Sequence, residues 1–180
     1  MTAEQDLVRR LRAGDQTALS LIYEQYKDDL LTVATWLVAD TATGEDVLHD
    51  AFVAFAAQAI RFRLRGSLRS YLVACVANRA RDELRRRSRR PASLDDSDDA
   101  ADAAAGPLEA AADCEEADKL RTALAELPYE QREVIVLHLH GDLTFAEVAR
   151  QQDVSINTVQ SRYRYGLDKL RSLWSTGVRA

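Results

Sequence analysis

The sequence predicts an all-α protein, and three observations support that fold class. Apolar residues recur at steps of three and four almost throughout the 180 residues, alternating strand-like runs are absent, and only 7 Gly and 3 Pro interrupt the pattern. A composition of 47% hydrophobic and 29% charged residues suits one or two small globular domains. Because no long apolar run and no basic-then-apolar start occur, we expect neither membrane insertion nor a signal peptide.

The first 90 residues predict four helices. The first helix ends at Gly14, and Asp15 then caps a long second helix. Thr43 opens a third helix, and Ser67 caps a fourth that runs into an arginine cluster. Pro91 excludes further helix nearby, so the first domain is expected to span residues 1–90.

Charge divides the chain more sharply than its net value of -5 suggests. Residues 61–90 carry eleven Arg against two acidic residues, whereas residues 91–118 carry ten Asp and Glu and no Lys or Arg. Residues 91–112 have little to bury and repel one another, which predicts a flexible acidic linker. A basic segment in an acidic protein indicates a polyanion as a local partner, although a solvated charge run is the simpler alternative.

Residues 113–180 predict a second helical domain that ends in a helix-turn-helix. Thr144 and Glu147 form a capping box for the first helix of that pair, Asp153 turns the chain, and Ser155 caps the second. When the apolar stripe of the last helix packs inward, amide, hydroxyl, guanidinium and phenol groups occupy the other face. Such groups suit base edges and phosphates in a major groove. An ordinary amphipathic hairpin of a helical bundle is the alternative for this segment.

Candidate catalytic and metal-binding residues are sparse. His138 and His140 are two apart on a predicted helix, so their side chains diverge, and no Gly-rich phosphate loop, His-Glu-x-x-His or Cys-x-x-Cys motif occurs. Cys75 and Cys114 give no disulfide framework, which fits a reducing cytoplasm. A hydrolytic or metal enzyme is therefore poorly supported, and we expect no catalytic residues, no metal and no cofactor.

These features in combination resemble the bacterial RNA polymerase sigma factors of the sigma-70 family, in the short extracytoplasmic-function (ECF) class. That class retains a promoter-melting domain, region 2, and an upstream-element domain, region 4. The resemblance covers about Asp6 to Trp174 apart from the linker. It implies that residues 1–90 bind core polymerase and the minus-10 element, and that residues 113–180 read the minus-35 element. Catalysis of RNA synthesis would belong to the core enzyme.

The segment from Glu45 to Phe52 (EDVLHDAF) is similar to the family's core-binding signature. Asp46 and Asp50 are four residues apart and hence share one helical face. The resemblance implies that Asp46, Asp50 and Phe52 contact the polymerase clamp, with His49 standing where the family usually has Gln. From the residues alone, a solvated acidic helix start favoured by the helix dipole fits better.

Residues 70–82 are similar to the segment that melts and reads the minus-10 element. The resemblance implies that Asn78 and the loop from Phe62 to Gly66 lie near a base extruded from the non-template strand, where Phe62 can stack and arginines can track phosphates. Tyr71, where the family more often has Trp, fits a core position as well as a wedge, and Asn78 also fits a plain surface amide. The implied minus-10 set is Phe62, Arg63, Arg65, Tyr71, Asn78, Arg81, Arg85 and Arg86.

In the last helix the family's base-contacting positions fall on a polar set flanked by its neighbours. The implied minus-35 set is Asn157, Thr158, Gln160, Ser161, Arg162, Arg164 and Tyr165. Members often carry a basic residue at Gln160, and Arg or Ala near Tyr165 and Gly166, so the docking mode is predicted but the promoter sequence is not. A glycine inside a helix, such as Gly166, lowers helix stability by about 1 kcal/mol relative to Ala. We expect close packing against another helix to be the reason for a glycine at this position.

The sequence therefore predicts a promoter-specificity subunit with core RNA polymerase, at its clamp and flap regions, and promoter DNA as partners. The acidic linker is expected to thread the polymerase near its active cleft. Membership of the class also allows an anti-sigma factor as a partner, although no residue demonstrates one. We expect a cytoplasmic bacterial protein that is nucleoid-associated when active. The alternative is a stand-alone helix-turn-helix regulator with an N-terminal sensing or dimerisation domain, which would protect a palindrome by itself.

Overall fold

The computed structural model describes residues 3–64, 66–89 and 108–177. Within 108–177, side chains are described for residues 117–174. These residues form eight α-helices and one short 3-10 turn. No strand occurs in these residues, which confirms the predicted fold class. In chain order the elements are α1 Ala3–Arg12, α2 Gln16–Val38, α3 Thr41–Gln58, the 3-10 turn Ala59–Arg61, α4 Leu68–Arg89, α5 Leu108–Ala125, α6 Tyr129–Leu139, α7 Phe145–Gln152 and α8 Ile156–Gly177.

Helices α1, α3 and α4 pack around α2. The inward face of α2 is fully buried at Ile22, Leu30, Val33 and Leu37. Asp15 caps α2 as predicted, because its carboxylate accepts the Thr17 backbone N–H at 2.9 Å. The cap of α3 was wrong in the sequence analysis. Asp40 accepts the Thr43 backbone N–H at 2.8 Å, so α3 begins at Thr41 and Thr43 lies inside its first turn.

Helices α5 to α8 form the second group, in which α6 packs against α7 and α8. The capping box of Thr144 and Glu147 is present, with the Thr144 N–H donating to Glu147 Oε2 at 2.8 Å. Asp153 ends α7 in the left-handed region at φ 55°, and Ser155 Oγ accepts the Thr158 N–H at 3.1 Å. The sequence thus predicts this helix-turn-helix correctly at each turn.

The boundary between the predicted linker and the second domain needs correction. Helix α5 begins at Leu108, whereas the linker was predicted to extend to residue 112. Ala110, Ala111 and Ala112 are strong helix formers, and they favour continuing the helix over leaving it. The rest of the predicted linker, residues 91–107, lies outside the described residues.

Candidate nucleic-acid interface

The outward face of α8 gathers most of the polar side chains predicted to read DNA. Asn157, Gln160 and Arg164 are exposed, Ser161 is half-buried, and Tyr165 is 58% exposed. Val159 on the other face is fully buried and anchors the helix to the core. The Arg164 guanidinium lies 5.4 Å from the Tyr165 ring centroid, so the two side chains form one surface.

Two members of the same predicted set are engaged elsewhere. Thr158 is half-buried in the cap of α8, where its hydroxyl lies 2.9 Å from Ser155 Oγ. Arg162 Nη1 donates to Gln152 Oε1 on α7 at 2.7 Å. In this arrangement α8 therefore presents Asn157, Gln160 and Arg164 freely but directs Arg162 toward the preceding helix.

Helix α4 carries the basic face predicted for the minus-10 strand. Asn78, Arg85 and Arg86 are exposed, and Arg81 is half-buried with its Nη1 donating to Asn78 Oδ1 at 3.2 Å. Arg79 is also exposed beside Asn78, although the sequence analysis left it out of the site. Arg79 lies seven residues, two helical turns, before Arg86, and that spacing is the signal that could have placed it on the same face of α4.

The loop before α4 differs from the prediction. Phe62 is only 7% exposed, and its ring packs 4.5 Å from Tyr71 and 5.3 Å from Phe55 between ring centroids. Stacking of Phe62 on an extruded base is therefore a wrong expectation for this conformation, because three aromatic rings from different elements bury one another. Burial raises the pKa of Tyr71 to about 12, which fits its core alternative. Arg63 is exposed, and Arg65 lies outside the described residues.

The predicted core-binding face of α3 is mostly accessible. Asp46 and Asp50 are exposed and share a cleft of about 420 Å³ with Arg79 and Arg86 of α4. Phe52 is the exception, since it is 7% exposed with its ring 4.9 Å from that of Tyr23. Its predicted contact with polymerase is therefore corrected to a packing role.

A groove beside this face contains residues outside the predicted site. The groove has a volume of about 360 Å³ and lies between α2 and α3, with Tyr23 and Val53 exposed along it. Val53 follows Asp50 by three residues, which places the two on one helical face. That spacing is the signal that could have found Val53.

The two helical groups meet through a buried ion pair. Arg81 Nη2 of α4 donates to Glu133 Oε1 of α6 at 2.5 Å, and Glu133 is only 1% exposed. Burial raises the pKa of Glu133, against the opposing effect of the Arg81 guanidinium. Gln151 adds a bond from its amide to the Ala74 carbonyl at 3.2 Å.

A second polar junction lies at the start of α4. Arg69 donates to both carboxylate oxygens of Asp29 on α2, at 2.8 and 3.1 Å. The same guanidinium donates to Asp142 Oδ2 at 2.8 Å and to the His140 carbonyl at 2.6 Å, both just after α6. Arg69 thus joins one helical group to the other.

His138 of α6 and His140 just after it belong to no group of three or more possible metal ligands among the described residues. His138 Nδ1 lies 2.7 Å from the Leu143 carbonyl, and its ring packs 4.1 Å from Phe145. The predicted packing role of His138 fits these contacts. Among the described helices, none combines the length and apolar character that crossing a bilayer requires.

Comparison with protein families gives two matches that divide as the helical groups do. Residues 22–90 match the model of sigma-70 region 2, and residues 117–170 match that of sigma-70 region 4. The region 2 match therefore covers most of α2 and all of α3 and α4, and the region 4 match runs from within α5 to within α8.

Relatives that align over nearly the whole length of the chain are RNA polymerase sigma factors. The chain is 31% identical to the ECF RNA polymerase sigma factor SigM of Mycobacterium tuberculosis, over 92% of this chain and 83% of SigM. It is 26% identical to the RNA polymerase sigma-H factor of Pseudomonas aeruginosa, over 94% and 95%. Two solved structures share the fold. CnrH in complex with the cytosolic domain of CnrY has a TM-score of 0.70 and 23% identity, and the match covers 97% of this chain and 99% of CnrH. RpoE of Bartonella quintana in complex with the anti-sigma factor NepR has a TM-score of 0.65 and 18% identity, and the match covers 87% of this chain and 96% of RpoE.

Proposed function

The chain belongs to the sigma-70 family of RNA polymerase sigma factors, in the extracytoplasmic-function class. On this basis we propose which residues bind core polymerase and which bind each promoter element. The chain is a promoter-directing subunit of RNA polymerase. Residues 1–90 form the domain for core binding and the minus-10 element. The domain for the minus-35 element includes all of α5 and runs from Leu108 to the end of the chain, with the acidic linker between the two.

Helix α8 enters the major groove of the minus-35 element. The observation that carries this assignment is the exposed face on which Asn157, Gln160, Arg164 and Tyr165 stand together. Gln160 and Arg164 are four residues apart, so both reach the same few base pairs, and their amide and guanidinium groups can bond base edges. Ser161 completes this face. Thr158 becomes available to DNA when its hydroxyl leaves Ser155 Oγ, and Arg162 becomes available when its bond to Gln152 breaks.

Helix α4 captures the opened minus-10 strand. Asn78 lies on its exposed surface with Arg79, Arg85 and Arg86, which suits an amide that holds a base while guanidinium groups neutralise phosphates. Arg63 in the preceding loop extends the basic surface toward the strand. Strand opening follows from binding an extruded base, because capture of the single strand lowers the free energy of the open state.

The polymerase clamp contacts Asp46 and Asp50 of α3, and region 4 and the linker approach the flap and the active cleft. The two carboxylates are exposed and one turn apart, which suits a basic partner surface. RNA synthesis itself belongs to core polymerase, so this chain contributes recognition and no catalytic group. We place it in the bacterial cytoplasm, on the nucleoid when active. An anti-sigma factor is included among the partners because the Bartonella RpoE was solved with one.

Transcription by core polymerase with and without the chain tests this function. Sequencing the transcripts should reveal starts that require the chain and that share upstream elements at two fixed spacings. The variant Arg164→Ala should lose part of these starts, whereas Arg12→Ala, an exposed arginine of α1, should retain them. A tight palindromic footprint by the chain without core would favour a stand-alone regulator instead.

A further inference from the structure

A cleft of about 750 Å³ lies between α4 and the helices α6 and α7, and its lining is rich in arginine. Sites for small organic ligands usually have volumes of about 300–1,000 Å³, so this cleft has room for a molecule the size of a nucleotide. Four guanidinium groups contribute to its walls, those of Arg81, Arg85, Arg132 and Arg162. Arg132 lies on α6, outside both helices assigned to DNA, so promoter recognition does not account for it.

Arg132 is a buried cation without an anionic partner among the described residues. It is only 7% exposed, and its Nε atom is buried with no hydrogen-bond acceptor. Its guanidinium carbon lies 5.5 Å from the centroid of the Tyr129 ring, a weak contact for a buried charge. Burial lowers the pKa of Arg132, but arginine stays protonated in proteins, so the cost of burying the charge remains. An anion in the cleft would offset that cost.

Arg85 is the second uncommitted guanidinium of the cleft. Arg81 is paired with Glu133, and Arg162 donates to Gln152. Arg85 is exposed, and its guanidinium forms no hydrogen bond or ion pair within the described part of the chain. Two guanidinium groups on one cleft suit a phosphoryl group, because each can donate two parallel bonds to its oxygens.

The carboxylates of the lining do not cancel this positive charge. Glu133 is neutralised by Arg81, whose Nη2 lies 2.5 Å from it. Glu130 and Asp153 are exposed, where water and salt weaken their repulsion of an anion. The buried end of the cleft therefore keeps the charge of Arg132.

The remaining lining suits the organic part of a ligand. Tyr129 contributes an aromatic ring and Leu84 an aliphatic side chain. Gln151 Oε1 is buried without a donor, although the Nε2 of the same side chain donates to the Ala74 carbonyl at 3.2 Å. A hydroxyl or amino group of a ligand would satisfy such an acceptor. The cleft thus combines a site for phosphate with apolar and polar surface beside it.

The concave shape favours a small molecule over the backbone of DNA. Phosphates of a duplex lie on its convex outer surface, so they reach Arg85 at the exposed edge of the cleft but not the buried Arg132. We propose that this cleft binds a phosphorylated small molecule of nucleotide size, whose phosphoryl groups bond Arg85 and Arg132 and whose organic part contacts Tyr129. The site goes beyond promoter recognition and does not depend on which residues read DNA.

Isothermal titration calorimetry of the full chain with ATP and with inorganic tripolyphosphate, both without magnesium, tests the site. We expect one ATP to bind per chain, and to bind more tightly than tripolyphosphate, because only ATP has an organic part that contacts Tyr129. Arg132→Met keeps an apolar side chain of similar length but removes the charge. It should weaken ATP binding about ten- to hundredfold, since hydrogen bonds to a charged group are lost.

Arg85→Gln protects the test against misfolding of the Arg132 variant, because position 85 is exposed. It should also weaken ATP binding about tenfold or more. Arg12→Gln, at an exposed position of α1 away from the cleft, makes the same charge change and should bind ATP like wild type. Circular dichroism verifies that each variant is folded. In thermal unfolding, ATP should raise the melting temperature of wild type more than that of Arg132→Met.

Absence of ATP binding by the wild-type chain would overturn the proposed site. Undiminished affinity in both Arg132→Met and Arg85→Gln would also overturn it. An equal loss in Arg12→Gln and Arg85→Gln would show attraction to the whole basic surface in place of a defined cleft. Equal affinity for ATP and tripolyphosphate would overturn the assignment of an organic part to the ligand.

Discussion

Gly166 of α8 lies so close to Ile135 of α6 that a Cβ atom at position 166 would stand 2.7 Å from Ile135 Cδ1 and 3.2 Å from Gln131 Cβ. The glycine is thus explained by the close approach of two helices, and it lies directly behind the DNA-reading face. Its cost to helix propensity, about 1 kcal/mol, is offset by contact between α6 and α8.

Gly166→Ala should therefore destabilise the protein by about 1–3 kcal/mol, because overpacking outweighs the better helix propensity of alanine. Urea denaturation followed by circular dichroism measures the change. Adding Ile135→Val removes the methyl group that the new Cβ would meet, so the double variant should recover part of the loss. Equal or greater stability of Gly166→Ala alone would show that the helices can shift apart.

The capping box of α7 predicts a second stability effect. Thr144→Ala removes the acceptor of the Glu147 N–H and should lower the free energy of unfolding by about 1 kcal/mol. Thr144→Ser keeps a hydroxyl at the same position and should be close to wild type. The comparison of the two variants in denaturant separates the cap from general effects of substitution at this site.

Reversal of the acidic face should abolish core binding without unfolding the protein. Asp46→Arg with Asp50→Arg changes two exposed positions, where substitutions usually alter stability by less than about 0.5 kcal/mol. Association is measured by co-purification with core polymerase. Asp118→Arg with Asp168→Arg makes the same charge change in the other domain and should leave association intact. Wild-type levels of core with the first pair would contradict the assignment.

Substitutions of arginines on α8 and on α4 should have different effects on promoter binding. Arg164→Ala should change which minus-35 sequences are used, since a base-edge contact contributes about 1–3 kcal/mol of discrimination. Arg85→Ala with Arg86→Ala should weaken binding to all promoters and flatten its salt dependence, because phosphate contacts carry little sequence information. Affinities of the holoenzyme for a promoter panel at several salt concentrations separate the two. A sequence-selective loss in the Arg85 and Arg86 variant would refute the division.

Acid should loosen the N-terminus of α2. Hydrogen bonds from Thr17 and Arg10 lower the pKa of Asp15 from 3.8 to about 2. Since the folded pKa lies below the unfolded one, the stabilisation is present above about pH 4 and is lost as the pH falls through about 2. Asp15→Asn should therefore show a shallower fall of melting temperature between pH 4 and 2 than wild type. Asp28→Asn, at an exposed position on α2, is the control and should follow wild type.

Local signals were predicted well from the sequence. Asp15, Thr144, Asp153 and Ser155 act within a few residues of themselves, so their turn and cap chemistry is visible in a short window. The exposed polar face of α8 followed from helical geometry in the same way. The Thr43 assignment failed because Asp40 and Thr43, three positions apart, are both residue types that cap helices, and Asp40 begins α3.

Contacts between distant segments were not predictable. The burial of Phe62 depends on Phe55 and Tyr71, which come from two other elements, and an aromatic residue in a loop looks the same in sequence whether it is covered or free. The pairing of Arg81 with Glu133 joins residues 52 positions apart. No periodicity within either helix indicates such a partner.

The cleft that places Asp46 and Asp50 beside Arg79 and Arg86 has a thermodynamic consequence. A cationic partner that covers the two carboxylates cancels negative potential next to arginines assigned to the DNA strand. DNA is then attracted more strongly, and by reciprocity bound DNA strengthens the grip of that partner by the same factor. Polymerase and promoter would thus act as each other's effectors through a few ångströms of shared electrostatic field, without any movement of the helices.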